Sequence, residues 1–205
     1  MKTSDIVNTF ETIVPNPKCP LNYNKDYELL IAVMLSAQTT DDRVNAVTQE
    51  LFKYSLEELA ELSISKIEGI IKPVGTQKRK ANYVHKIANI ISNECNGIVP
   101  HDRAFIESLP GVGHKTCNVV FSELFDEPAF AVDTHVARVS KRLGFVKDDD
   151  DVQIIESKLC KKFPKDKWSR LHVQFVLFGR HTCTSRNPKC DKCPFKFTQC
   201  KRPQI

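Results

Sequence analysis

Apolar residues recur along the chain at the three- and four-residue spacing of helices, with no convincing strand alternation. Residues 27–37 are apolar on nearly every side, which predicts a central buried helix. Thr40 or Asp41 is placed to cap the next helix, whose inner face carries Val44, Val47, Leu51 and Phe52. Ser55 and Glu58 form a capping-box pattern ahead of a short helix, and Ser65 with Glu68 repeats it. A helix over 80–94 presents Val84, Ile87, Ala88 and Ile91, with Gly97 as its stop. A short helix over 102–108 ends before Pro110, and another over 114–125 turns Val119, Val120 and Phe121 inward. Further on, Asp133 or Thr134 caps a helix carrying Val136, Val139 and Leu143, closed by Gly144. The acidic run 148–151 precedes Ile154, Ile155 and Leu159, where acid suits a helix N-terminus. The last long helix is expected over 167–178. The predicted class is all-α, about ten helices joined by short loops.

Composition narrows the class. With 205 residues, 41% apolar and 27% charged, the chain can bury a core and is one domain or two small ones. The longest apolar run, 29–35, has seven residues, far short of the roughly 18 of a membrane span. The N-terminal segment lacks the apolar core of an export signal. The expectation is an intracellular, cytoplasmic protein with no membrane partner.

Eight cysteines stand out. Cys19, Cys95, Cys117 and Cys160 are scattered, as small core residues are. The other four follow Cys183-x6-Cys190-x2-Cys193-x6-Cys200. Thiolates on loops this short can converge on one soft-metal centre at little closure cost. Zinc and an iron–sulfur cluster both suit four thiolates, and the single close pair with wide flanks leans toward the cluster. Disulfides are disfavoured in an intracellular chain. From Cys183 onward there are six basic residues (Arg186, Lys189, Lys192, Lys196, Lys201 and Arg202) and one acid, Asp191. That local excess equals the formal +5 of the whole chain. Part of it balances thiolates, and the rest points to a polyanion, with Arg186 and Lys189 presented by the first inter-cysteine loop.

Leu109-Pro110-Gly111-Val112-Gly113-His114-Lys115-Thr116 lies between two predicted helices. Two glycines allow a tight turn and close backbone approach, and a helix start offers N–H groups to a phosphate. A Walker loop is excluded, because its four-residue spacer is absent and His114 separates Gly113 from Lys115. A lysine with its ordinary pKa of about 10.4 is protonated and cannot attack an electrophile. A helix N-terminus and partial burial both disfavour the ammonium form, so Lys115 is a candidate amine nucleophile. Asp133 follows after one predicted helix and a short loop, so a return of the chain can bring it to face Lys115. There it can assist proton movement and stabilise a sugar cation.

These residues together resemble the endonuclease III family of helix-hairpin-helix DNA glycosylases. The resemblance is carried by Leu35-Ser36-Ala37-Gln38-Thr39-Thr40-Asp41, the hairpin at 109–116, the segment 132–139 and Gly179-Arg180-His181-Thr182-Cys183. It implies a four-iron four-sulfur cluster on Cys183, Cys190, Cys193 and Cys200. It implies two lobes with DNA held between them: a six-helix barrel over 19–130, with its hairpin motif at about 101–125, and a second lobe of 1–18 plus 131–205. It further implies that Lys115 attacks C1′ of a flipped nucleotide with Asp133 assisting, and that the resulting Schiff base promotes β-elimination. Expected substrates are oxidised pyrimidines such as thymine glycol, and abasic sites, in double-stranded DNA. A prokaryotic monomer acting at the nucleoid is expected. Gln38 matches the glutamine that enters the space left by the flipped nucleotide. Leu109, Gly111, Val112, Gly113 and Thr116 of the hairpin, with Lys78, Arg79, Arg186, Lys189 and Lys192, are the expected DNA contacts.

Two features depart from the family pattern. The last inter-cysteine loop, 194–199, is one residue longer. Thr76 and Gln77 stand where relatives place a large apolar wedge, and Lys78, Arg79 and Lys80 are expected to compensate through phosphates. The alternatives are a monofunctional mismatch glycosylase, which generally lacks the lysine, and a non-catalytic helix-hairpin-helix DNA-binding protein with structural zinc.

Overall fold

The computed structural model describes residues 1–201. Among them are eleven α-helices and no strand. In chain order they are α1 (Thr3–Ile13), α2 (Asp26–Leu35), α3 (Asp41–Leu51), α4 (Leu56–Glu61), α5 (Ile64–Ile70) and α6 (Gln77–Asn93). There follow α7 (Arg103–Ser108), α8 (His114–Leu124), α9 (Thr134–Arg142), α10 (Val152–Lys162) and α11 (Trp168–His181), with 3₁₀ turns at Lys165–Lys167 and Cys190–Lys192. The chain forms two compact units, Cys19–Asp126 and the joined segments Met1–Lys18 and Glu127–Ile205.

The first unit is built around α2. Every side chain from Tyr27 to Leu35 is buried, which requires apolar neighbours on all sides. α6 and α8 pack on α2, contributing Ala81, Val84, Ala88, Cys117, Val120 and Phe121 to the same core. The buried Glu28 is tolerated because its carboxylate accepts the N–H groups of Asn24 (2.7 Å) and Lys25 (3.3 Å) at the helix start. Ser55 caps α4 as a box with Glu58. The cap of α5 is Ser63, not Ser65: its hydroxyl accepts from Lys66 N–H, and Ser65 lies inside the helix. Starting there sets Ile67 into the core.

The second unit joins α1, α9, α10 and α11. α1 is not among the predicted elements, though Ile6, Val7 and Phe10 lie at helical spacing and are buried. Phe10 stacks on Phe175 (4.5 Å between centroids) and meets Phe178 and Phe195. Arg170 of α11 ties α1 down through a bidentate pair with Glu11 (both 2.6 Å). Asp133 caps α9 and Asp151 caps α10. Ile154 is exposed, while Ile155 and Leu159 face the core.

Candidate active site and metal centre

The hairpin is anchored by its side chains and presents its backbone. Leu109 and Val112 are buried in the first unit's core, so any contact they make with a ligand is through main-chain groups. Val112 N–H closes the turn on Leu109 C=O at 3.0 Å. Gly111 has φ +79°, and a Cβ there would meet Tyr83 Cδ2. Both the conformation and the space therefore demand glycine. Gly113 differs: its φ is −105° and nothing lies within 4 Å of an added Cβ. Neither strain nor packing calls for a glycine there, and the open space lies at the α8 start, where the first N–H groups have no intrahelical partner. A polar chain fixes the two hairpin helices to each other. Arg103 donates to Asn118 Oδ1 (2.8 Å), Asn118 meets His114 Nε2 (3.3 Å), and His114 Nδ1 meets Glu107 (3.1 Å).

Lys115 occupies the first turn of α8 and is exposed. The partial burial expected for it is absent, because this turn directs Cys117 and Asn118 inward and Lys115 outward. Thr116 is half-buried. Gln38 is exposed and has φ +57° in the loop after α2. Lys78 and Arg79 are exposed at the start of α6, beside Thr76, which also has a left-handed backbone. Lys80 contradicts its expected phosphate role: it is 5% exposed and bonded within the protein.

In the second unit, Asp133 is half-buried and Oδ1 accepts from Val136 N–H at 2.7 Å. One carboxylate oxygen is thus committed to capping α9. Burial, followed by the opposed charges of Asp133 and Arg138, leaves His135 below its ordinary value, and Arg138 Nη2 lies 3.1 Å from its Nδ1.

The four clustered cysteines are unpaired by disulfides and line one cavity of about 320 Å³, its open mouth included. Four thiols lining one cavity are soft donors of the kind that hold the irons of a four-iron four-sulfur cluster. Burial, opposed by a hydrogen bond from the Phe195 backbone and joined by the neighbouring Cys183, Cys200 and Cys190, pushes the Cys193 thiol up, so holding it as a thiolate calls for cationic metal. The longer last loop is absorbed locally. Phe195 is buried against Phe10 and Phe178, Phe197 turns outward, and Cys200 N–H bonds Phe195 C=O at 2.9 Å.

Two arginines that the cysteine spacing does not announce hold this loop. Arg138 Nε donates to Cys183 C=O (3.1 Å) and Nη2 to Gly179 C=O (2.8 Å). Arg142, one turn on, donates to Thr184 C=O (2.7 Å) and Ser185 C=O (3.2 Å), with Cys183 Sγ at 3.4 Å. Their placement one helical turn apart on α9 is the signal that a reading of helix faces offers. Arg186, Lys189 and Lys192 are exposed, whereas Lys196 pairs with Asp191 (3.2 Å). Arg202 lies outside the described residues.

Comparison with known proteins decides the family. Residues 31–165 match the family described as HhH-GPD superfamily base excision DNA repair protein, and 183–197 the iron–sulfur binding domain of endonuclease III. Endonuclease III of Bacillus subtilis is 42% identical over 93% of this chain and 87% of its own length. The chain belongs to the endonuclease III family. The Escherichia coli K12 endonuclease III is 40% identical over 94% of this chain and 92% of its own. A solved trapped endonuclease III–DNA covalent intermediate superposes with a TM-score of 0.91 at 40% identity, covering 98% of this chain and 96% of that one. A thermostable thymine-DNA glycosylase gives 0.81 at 25% identity, covering 97% and 95%. The fold is that of the helix-hairpin-helix DNA glycosylases, and the protein is a base-excision DNA glycosylase and abasic-site lyase with a four-iron four-sulfur cluster. The matched iron–sulfur segment stops at 197, short of Cys200, yet Cys200 lines the same cavity as the other three cysteines. When bound, the cluster supplies a rigid cross-link and a redox-active group. No described helix is long and apolar enough to cross a membrane.

Proposed function

We propose that Lys115 is the nucleophile and that the substrates are double-stranded DNA carrying oxidised pyrimidines, such as thymine glycol, or abasic sites. The Lys115 amine attacks C1′ of the flipped nucleotide, and the glycosidic bond breaks with its electron pair leaving on the base. The ring opens to an imine between Nζ and C1′. Loss of a C2′ proton then expels the 3′ phosphate, giving a nicked strand, and water releases the enzyme. Asp133 assists proton movement and stabilises positive charge on the sugar; its second oxygen remains for this after Oδ1 has capped α9. DNA closing over the exposed amine supplies the desolvation that the free protein lacks.

The observation that carries this reading is an exposed amine at the second residue of α8, a helix whose N-cap is a glycine that neither packing nor φ requires. A phosphate at that helix start brings a deoxyribose near Lys115. The solved relative trapped as a covalent DNA intermediate supports a bonded enzyme–DNA species in this family. Gln38 enters the space left by the flipped nucleotide. Lys78, Arg79, Arg186, Lys189 and Lys192 contact phosphates, and Gly111 and Thr116 frame the hairpin's backbone contacts. The protein acts as a monomer in the cytoplasm, at the nucleoid.

Borohydride reduction during turnover on abasic DNA tests the nucleophile. The parent forms a stable covalent adduct, and Lys115→Ala forms none while still binding the duplex. An adduct of undiminished yield in Lys115→Ala moves the nucleophile elsewhere.

A further inference from the structure

α2 creates a difficulty at its own end. It is buried on every side, so its last carbonyls point into the protein rather than to water. Lys80 of α6 meets that need. Its Nζ donates to Leu35 C=O (2.8 Å), Ala37 C=O (2.6 Å) and Thr39 Oγ1 (3.2 Å). An ammonium has three N–H groups, and all three are used. The Leu35 contact places a cation at a helix C-terminus, where the dipole favours it. The other two contacts fall on the residues immediately before and after Gln38.

Gln38 is exposed and left-handed, with φ +57°. An L side chain keeps that state only when its neighbours hold it. No helix or strand holds it; the turn closes around it through Thr39 N–H to Ser36 C=O (3.0 Å), and one ammonium bonds the residues on either side of it. The same lysine sits in the first turn of α6, the helix that starts at Gln77 right after Gly75 and Thr76. A Cβ on Gly75 would lie 3.9 Å from Gln38 C=O. One buried side chain therefore ties the Gln38 loop to the helix that begins at the wedge loop. Burial, then the charge of Arg79, pushes Lys80 below its usual 10.5. The site thus keeps its ammonium against a desolvation penalty.

We infer that Lys80 is a positioning residue: through Ala37 and Thr39 it sets the conformation in which Gln38 enters the duplex, and it holds that loop in register with the wedge loop. The inference rests on the proposed role of Gln38. Lys80 touches neither the nucleotide nor the reacting atoms, and it acts before base removal, by stabilising the flipped state of the duplex.

The test uses the full-length, cluster-containing enzyme and single-turnover rates on two substrates. These are thymine glycol in a duplex, where a vacated space must be filled, and an abasic site in a single strand, where none exists. Lys80→Met keeps the apolar stem and removes the donors. It lowers duplex excision about tenfold more than single-strand cleavage, the size expected for losing bonds from a charged donor. Gln38→Ala shows the same substrate bias, and the double variant is no slower than Gln38→Ala alone. Thr39→Val removes one anchor at a half-buried position and shows the bias more weakly. It decides the matter if melting shows Lys80→Met to be unfolded.

Equal slowing of both substrates by Lys80→Met, or effects that multiply in the double variant, would overturn the positioning role. Gln38→Ala without a duplex-specific effect would instead sink the role of Gln38 itself.

Discussion

Gly179 and His135 meet so closely that a methyl group on the glycine would lie 2.9 Å from the histidine Cβ. Val139 Cγ2 and Arg138 Nη2 stand at 3.3 Å and 3.4 Å from the same point. The missing side chain lets α9 lie against α11, and that approach puts Arg138 and Arg142 within reach of the cysteine loop. Gly179→Ala must push the helices apart where the loop is clamped. The expected loss is about 1–3 kcal/mol of stability in urea titration, with a lower iron content per chain.

Asp133 serves a helix cap and, as proposed, the chemistry, and one substitution separates the two. Asparagine accepts the Val136 N–H as well as aspartate does, so Asp133→Asn keeps the cap. It removes the charge. Base removal is expected to slow about 10²-fold or more, while the melting temperature stays near that of the parent. Asp133→Ala loses both, with about 1 kcal/mol of stability gone as well.

The exposed arginine and lysine of the first cysteine loop are read as phosphate contacts. Arg186→Ala and Lys189→Ala should each flatten the dependence of log affinity on log salt by about 0.9 for duplex DNA. Fluorescence anisotropy at several salt concentrations measures the slope. Slopes equal to that of the parent would make both residues ordinary surface charge.

The tie between α1 and α11 carries a pH signature. The Arg170 hydrogen bonds hold the Glu11 carboxyl below its ordinary 4.5, against an opposing effect of burial. A depressed carboxyl stabilises the folded state above the ordinary value and loses that contribution as pH falls through the folded one. The parent should therefore exceed Glu11→Gln in urea midpoint at about pH 7, and the gap should narrow as pH falls below the ordinary 4.5 and through the lowered folded value.

Short-range signals located most helices, and their failures have physical causes. Ser55 and Glu58 lie within one turn of each other, so their reciprocal cap can be read from spacing. Only Ser65, with Glu68, satisfies that local rule, yet Ser63 caps the helix without a box, its hydroxyl accepting from Lys66 N–H, and Ile67 is buried. Phe10 lacks a nearby explanation because its partners, Phe175, Phe178 and Phe195, come from the other end of the chain. Ile154 and Ile155 are adjacent, and only packing selects which faces inward.

The sequence by itself determined the chemistry on offer: an amine after a glycine hairpin, an aspartate ahead of a helix and four thiols in one short segment. Those features are local, because covalent spacing and backbone freedom constrain them directly. Tertiary structure alone decided which charges are usable. Lys78, Arg79 and Lys80 are equivalent as letters, yet the turn of α6 leaves two in water and drives the third beneath the end of α2. Arg138 and Arg142 became cluster-loop clamps only when Gly179 let α11 approach. A buried charge finds its partners across the fold, and no spacing along the chain records that distance.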